Sequence, residues 1–259
     1  MKTATAAGWF AGLVVWLLAG RVEAHFLMLI PSGDVVSPGD PRTVDLEIVF
    51  THPMEAGPAM EMAAPQQFGM AVAGGKHDLL ETLKPKKVDG KTAYTASVRL
   101  AKPGDHVFYL EPAPYWEPAE GKMIIHYTKV VVDFMGMETG WDQMVGFPVE
   151  IEPLVRPYGL WTGNTFRGIV KKDGRPVPFA EIEVEYHNQG GRVKIPNDAF
   201  ITQVIKADAG GVLSYTMPKA GWWGFAALVE GDEKMKSPDG QMVDVELGAL
   251  VWVKTVDMQ

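Results

Sequence analysis

The chain has 259 residues, 47% of them hydrophobic, a formal charge of −8 and no cysteine. A surface of that sign repels nucleic acid and mildly concentrates cations. Without cysteine there can be no disulfide, thiolate metal site or lipidated-cysteine membrane anchor, so any metal must be held by His, carboxylate, Met or main-chain groups.

Lys2, the weakly polar to apolar run Ala7–Ala19 and the small-residue ending Val22-Glu23-Ala24 predict a cleaved export signal over residues 1–24 and a periplasmic product. Cleavage there removes Lys2, Arg21 and Glu23, one net positive charge, and deepens the charge to −9. It also makes His25 the first residue, whose free α-amine and imidazole Nδ1 can close a chelate ring on one metal ion. A cut one residue either way abolishes that arrangement. Beyond residue 24 no apolar run approaches the ~20 residues that span a bilayer.

The remaining chain is written in short apolar runs punctuated by 28 Gly and 19 Pro, with almost no helical period. Phe26 to Ile30 predicts a first strand, stopped at Pro31-Ser32-Gly33-Asp34. Val44, Leu46, Ile48 and Phe50 alternate with Asp45 and Glu47, the pattern of a half-buried strand. Thr51 to Gln67 is a Pro- and Met-rich connection. Further strands are expected at 68–72, 94–100 and 106–110, with at most a short helical piece over 78–83. Residues 112–118 predict an aromatic, proline-rich loop. Lys122 to Phe134 is the longest strand candidate, and its irregular alternation suits a strand covered on both faces. Residues 149–151 are expected to close the first unit.

Pro157, Gly159 and Gly163 place a domain boundary near residue 157, giving units 25–157 and 158–259. In the second unit, strands are expected at 166–171, 177–186, 200–206, 212–217, 222–229 and 247–253, with turns at Asp173-Gly174 and Asp208-Ala209-Gly210-Gly211. Short strands at regular spacing predict an all-β chain of two tandem immunoglobulin-like β-sandwiches.

Six histidines carry the candidate chemistry. His25 is one. His52 directly follows the strand 44–50, where sandwiches display functional groups. His126 sits in mid-strand, so its nitrogens require either hydrogen bonds or a metal. His106 fits a packing role, while His77 and His187 are expected in solvated loops. Met54, Met60, Met62 and Met70 could select Cu(I), or could fill the underside of a loop. No Gly-x-Ser-x-Gly elbow, phosphate loop or His-Glu-x-x-His helix is present, and no enzyme activity is expected.

The segments His25-Phe-Leu-Met-Leu-Ile-Pro-Ser, His52-Pro-Met-Glu-x-Gly-Pro-x-Met, Pro114-Tyr-Trp-Glu-Pro, Ile125-His126-Tyr-Thr-Lys and Arg156-Pro-Tyr-Gly-Leu-Trp resemble the exported periplasmic components associated with energy-coupling-type nickel and cobalt uptake transporters. Gly168-Ile-Val-Lys-Lys-Asp-Gly and Asp208-Ala-Gly-Gly-Val-Leu-Ser-Tyr are similar to carboxypeptidase-regulatory-like, transthyretin-like domains. The resemblance implies a metal held in the first unit, with His25, His52 and His126 as ligands. It implies capture of Ni(II) or Co(II) and delivery to a membrane metal-uptake transporter. Two other expectations stand beside it: a periplasmic copper chaperone or N-terminal-His copper oxidase, and a non-metal adhesion or scaffold module.

Overall fold

The computed structural model describes residues 25–259; the expected export signal lies outside the described residues. The chain forms β1 (Phe26–Pro31), β2 (Val35–Val36), β3 (Thr43–Thr51), β4 (Gln67–Val72), β5 (Gly75–Asp78), β6 (Lys84–Val88) and β7 (Lys91–Arg99). There follow β8 (Gly104–Glu111), β9 (Tyr115–Glu117), β10 (Lys122–Phe134), β11 (Val149–Pro153), β12 (Leu160–Trp161), β13 (Thr165–Lys172) and β14 (Arg175–Pro176). The last third holds β15 (Glu181–Tyr186), β16 (Gln203–Lys206), β17 (Val212–Thr216), β18 (Gly221–Glu230), β19 (Met235–Lys236), β20 (Met242–Val243) and β21 (Val245–Val256). Helical structure among the described residues is confined to three short 3-10 turns, and no helix is long and apolar enough to cross a membrane. The architecture is all-β and sandwich-like.

Three layers organise the chain. A central sheet runs β16-β15-β18-β21-β10-β8-β4-β5, so strands from both sequence halves belong to one hydrogen-bonded surface. Its seam is β10 against β21, parallel, from Met123↔Val245 to Val130↔Trp252. The sheet β1-β3-β7-β6 covers one face, and the sheet β11-β13-β14, with β17 on β13, covers the other. Alternation along the seam strands sends Val130, Val132, Leu250 and Trp252 into the first core. It sends Val131, Ala249, Val251 and Val253 into the second. That double coverage is why β10 is buried from Met123 to Phe134. The strand β11, expected to close the first unit, instead pairs with β13 from Val149↔Lys172 to Pro153↔Gly168.

Turn chemistry supports these pairings. Asp89-Gly90 and Asp173-Gly174 both have positive φ at each residue and close the two-residue hairpins β6–β7 and β13–β14. The edge strand β6 reads Lys-Pro-Lys-Lys-Val, a composition that discourages further strand addition.

The first strand is pinned from the central sheet. The Leu27 carbonyl accepts from the Trp252 indole at 3.0 Å and from the Thr128 hydroxyl at 3.3 Å. Phe26 enters a hollow over Gly224, where an added Cβ would lie 2.9 Å from both its ring and that of Trp252. These contacts set the position of the residue immediately before Phe26.

Candidate metal centre

Antiparallel β1 and β3 pair Phe26 with Thr51, and continuing that register by one residue sets His25 opposite His52. Their ring centroids are 4.7 Å apart, inclined at 56°, and each residue is only 8% exposed. His52 begins a tight loop in which the Gly57 amide donates to its carbonyl at 3.1 Å. The Thr51 hydroxyl donates to the Gly57 carbonyl at 3.0 Å. The far side of that loop is clamped to the second half of the chain. There the Met54 amide donates to Glu185 at 3.0 Å, and the Asn188 side chain donates to the Met54 carbonyl at 3.0 Å.

A third group joins the pair from the stretch expected to be loop. Residues 115–117 form β9, antiparallel to β10, and bring the buried Glu117 to 2.9 Å from His25 Nε2. The other Glu117 oxygen accepts from the Ala119 amide at 2.9 Å, which fixes the carboxylate. A carboxylate on Nε2 holds the hydrogen there and presents Nδ1 as the lone-pair nitrogen. Glu117 escaped sequence reasoning as a functional residue. The signal available was its place in Pro114-Tyr-Trp-Glu-Pro.

Phe50 and Tyr115 wall the cluster, with ring centroids 5.7 and 5.9 Å from that of His25. His126 meets it through Phe50, edge to face at 6.1 Å. Among the described residues no three or more His, Cys, Asp or Glu side chains are placed to hold a metal ion, so His25, His52 and His126 do not form a three-imidazole cage. His126 is buried with neither ring nitrogen hydrogen-bonded. Its Nε2 lies 3.7 Å from Glu246 Oε1, an electrostatic approach longer than a hydrogen bond. Burial alone would raise the Glu246 carboxyl, but His126 and Lys122 beside it outweigh burial and bring it down to about 2.

The other candidates find ordinary places. His106 is buried with Nδ1 3.0 Å from the Gly104 carbonyl, and burial pushes its pKa down. His77 is exposed on β5, while His187 is half-buried rather than solvated, and desolvation lowers its pKa. Met62 and Met70 pack in the first core, with Met60 against it. Met54 is buried under the loop that starts at His52.

A family model described as a domain of unknown function, DUF4198, matches residues 22–231. No curated protein matches the chain in sequence. Among solved structures, the D0-D1 domain of intimin is 14% identical, covering 90% of this chain and 100% of that one, with a TM-score of 0.25. A putative membrane-anchored protein from Corynebacterium diphtheriae is 11% identical, covering 90% and 60%, with a TM-score of 0.24. The titin tandem A164-A165 is 11% identical, covering 87% and 97%, with a TM-score of 0.21.

Proposed function

We propose that this chain, which belongs to the DUF4198 family, is an exported protein that captures Ni(II) or Co(II) and passes it to a membrane uptake transporter. The observation that carries the reading is the apposition of His25 and His52 at 4.7 Å, with Glu117 at 2.9 Å from His25 Nε2. After cleavage behind Ala24, the α-amine and Nδ1 of His25 would chelate the ion and His52 would add another imidazole. Such a brace draws one nitrogen from the main chain, so it needs only two ligating side chains. Nitrogen ligands of this borderline kind suit Ni(II), Co(II) and Cu(II). Copper therefore competes on affinity, and the cell's metal supply selects the cargo.

Protons compete for the same nitrogens. With an α-amine near pKa 8 and an imidazole near 6.5 in unperturbed peptides, capture weakens steeply below roughly pH 6. Release to a partner could use the same ligands, since two side chains and a terminus leave coordination positions for an incoming group.

The scaffold reading competes through the lack of a group of three metal-holding side chains among the described residues. Calorimetric titration of Ni(II), Co(II) and Cu(II) into chain beginning at His25, and into chain carrying one extra N-terminal alanine, separates the two. The brace predicts at least a hundredfold weaker binding for the extended chain. Equal affinities would overturn the brace, and absence of binding by either would favour the scaffold.

A further inference from the structure

Val107 of β8 and Val131 of β10 stand opposite each other and enter the second core. Two residues further, on the same face, the register sets Asp105 opposite Asp133. Carboxylates placed directly opposite across a strand pair repel each other. These two are 0% and 3% exposed, so water does little to screen them. They are not equivalent. Asp133 accepts from the Gly136 amide at 3.0 Å through Oδ2, while its Oδ1 has no hydrogen-bond partner. Neither oxygen of Asp105 meets the geometry of a hydrogen bond. A fully buried carboxylate left bare is the costlier of the two charges.

We propose that Asp105 and Asp133 share one proton, carried on Asp105, and that this proton latches the loop 135–141 onto the sheet. It turns Asp105 into a donor and supplies Asp133 Oδ1 with the hydrogen it lacks. The loop is tied at the same corner by the Thr139 carbonyl, which accepts from the Asp105 amide at 3.2 Å. It is tied again by Glu138, paired with Arg156, whose guanidinium lies 5.1 Å from the Tyr158 ring centre.

Burial, the largest influence, raises both carboxyls, and the Asp133 charge raises Asp105 further. The Tyr158 hydroxyl, the Trp141 amide and Arg156 draw Asp105 down without reversing the rise. On Asp133 the Gly136 amide and Arg156 act downward and Glu138 upward. Asp34, whose carbonyl accepts from the Asp133 amide at 2.9 Å, has its own carboxylate engaged by Lys254 at 3.3 Å and the Gly159 amide at 3.2 Å. Among the described residues no group of three His or carboxylate side chains could hold a metal ion, which favours a proton over a cation as the counter-charge. A proton held above the ordinary value of 3.8 stabilises the corner fully below that value, and the contribution is lost as pH rises through the folded value. The latch therefore holds in acid and loosens toward alkaline pH. It lies at the opposite end of β10 from Lys122, the partner of Glu117, so its test is independent of metal capture.

The experiment is carbon-13 NMR of chain labelled at the aspartate side-chain carboxyl. At pH 5, where an ordinary aspartate is ionised, one aspartate should keep the shift of a protonated acid. That signal should be lost in Asp105→Asn, and in Asp133→Asn its proton affinity should fall at least tenfold. As it titrates in the parent, exchange protection of the Gly136 and Asp105 amides should fall at least tenfold relative to the β21 amides, with the intrinsic pH dependence of exchange divided out. In Asp105→Asn the Gly136 protection should stay level. All aspartates ionised at pH 5, an acid signal that survives in both variants, or protection unmoved by the titration would overturn the proposal. Calcium binding that ionises the pair and is lost in Asp105→Asn would also overturn it, assigning the corner to a cation.

Discussion

In the proposed brace Glu117 would do for His25 what a positioning carboxylate does at many metal sites: hold Nε2 and leave Nδ1 for an ion. Its 2.9 Å contact with Nε2 and its backbone hydrogen bond from Ala119 leave it little freedom. Glu117→Gln keeps the shape but removes the charge that raises the basicity of the imidazole. Metal affinity should fall about tenfold to a hundredfold, the range seen when such supporting groups are lost, with little change in thermal stability. Calorimetry with Ni(II) on chain beginning at His25 reads the effect; an unchanged affinity would show that Glu117 is structural. The candidate histidines are visible in the sequence as isolated residues, His25 at the expected cleavage site, His52 after a strand and His126 within one. Their pairing is not, because it depends on the register Phe26↔Thr51 between strands far apart in the chain. Glu117 was hidden for a related reason: flanking prolines mark a loop, while its β-pairing comes from β10.

Among the elements, local pattern was legible and partnership was not. Alternation in 44–50 and the long apolar run 122–134 foretold β3 and β10 well, the latter with the same bounds. Periodicity states which side chains share a face, but it does not name the neighbouring strand. The β10–β21 seam and the assignment of β11 to β13 therefore emerge only in three dimensions. The strand β15 shows a cost of that assembly. Ile182 and Val184 enter the second core, which turns Glu183 and Glu185 to the opposite face. Burial first, and then Glu246, Glu185, Glu181 and Glu120 nearby, push the Glu183 carboxyl up to about 8. A carboxyl raised in the folded state binds its proton more tightly there than in the unfolded chain. Stability is therefore full below the unfolded value of 4.5, declines as pH rises toward about 8, and levels off above it. Glu183→Gln should remove that decline, raising stability at pH 8–9 by at most about 5 kcal/mol, since one pKa unit corresponds to about 1.4 kcal/mol. At pH 4.5 the variant should match the parent. Urea unfolding at both pH values checks this, and a gain equal at the two would remove Glu183 as the cause.

At the scale of the molecule, the shared sheet predicts that the two halves unfold together. Two beads joined by a linker would each keep a complete core and melt independently. Here β10 lends one face to the β1-β3-β7-β6 layer and the other to the second core, while β21 does the same from the other end of the sequence. Lys129 and Glu150 add a buried ion pair at 2.6 Å on the second-core side. Glu150 also accepts from the Val145 and Gly146 amides at 2.8 and 2.9 Å, so replacing Lys129 by an uncharged residue would leave the Glu150 charge buried without its cation, at a cost of about 3–5 kcal/mol. The Trp252–Leu27 hydrogen bond ties the last strand, in the central sheet, to the first, in the sheet that covers it. Unfolding the second half alone would strip β10 of its β21 partner from Met123 to Val130 and uncover the support under β1. Calorimetry should accordingly show one transition, with calorimetric and van't Hoff enthalpies equal. A fragment of residues 25–157 should fail to fold. Two separable transitions, or a folded fragment, would mean that the seam is an interface between independent domains. The consequence for the candidate metal centre is direct: His25 is held by β1, β1 rests on β21, and loss of the C-terminal strand should abolish metal capture even though no ligand belongs to it.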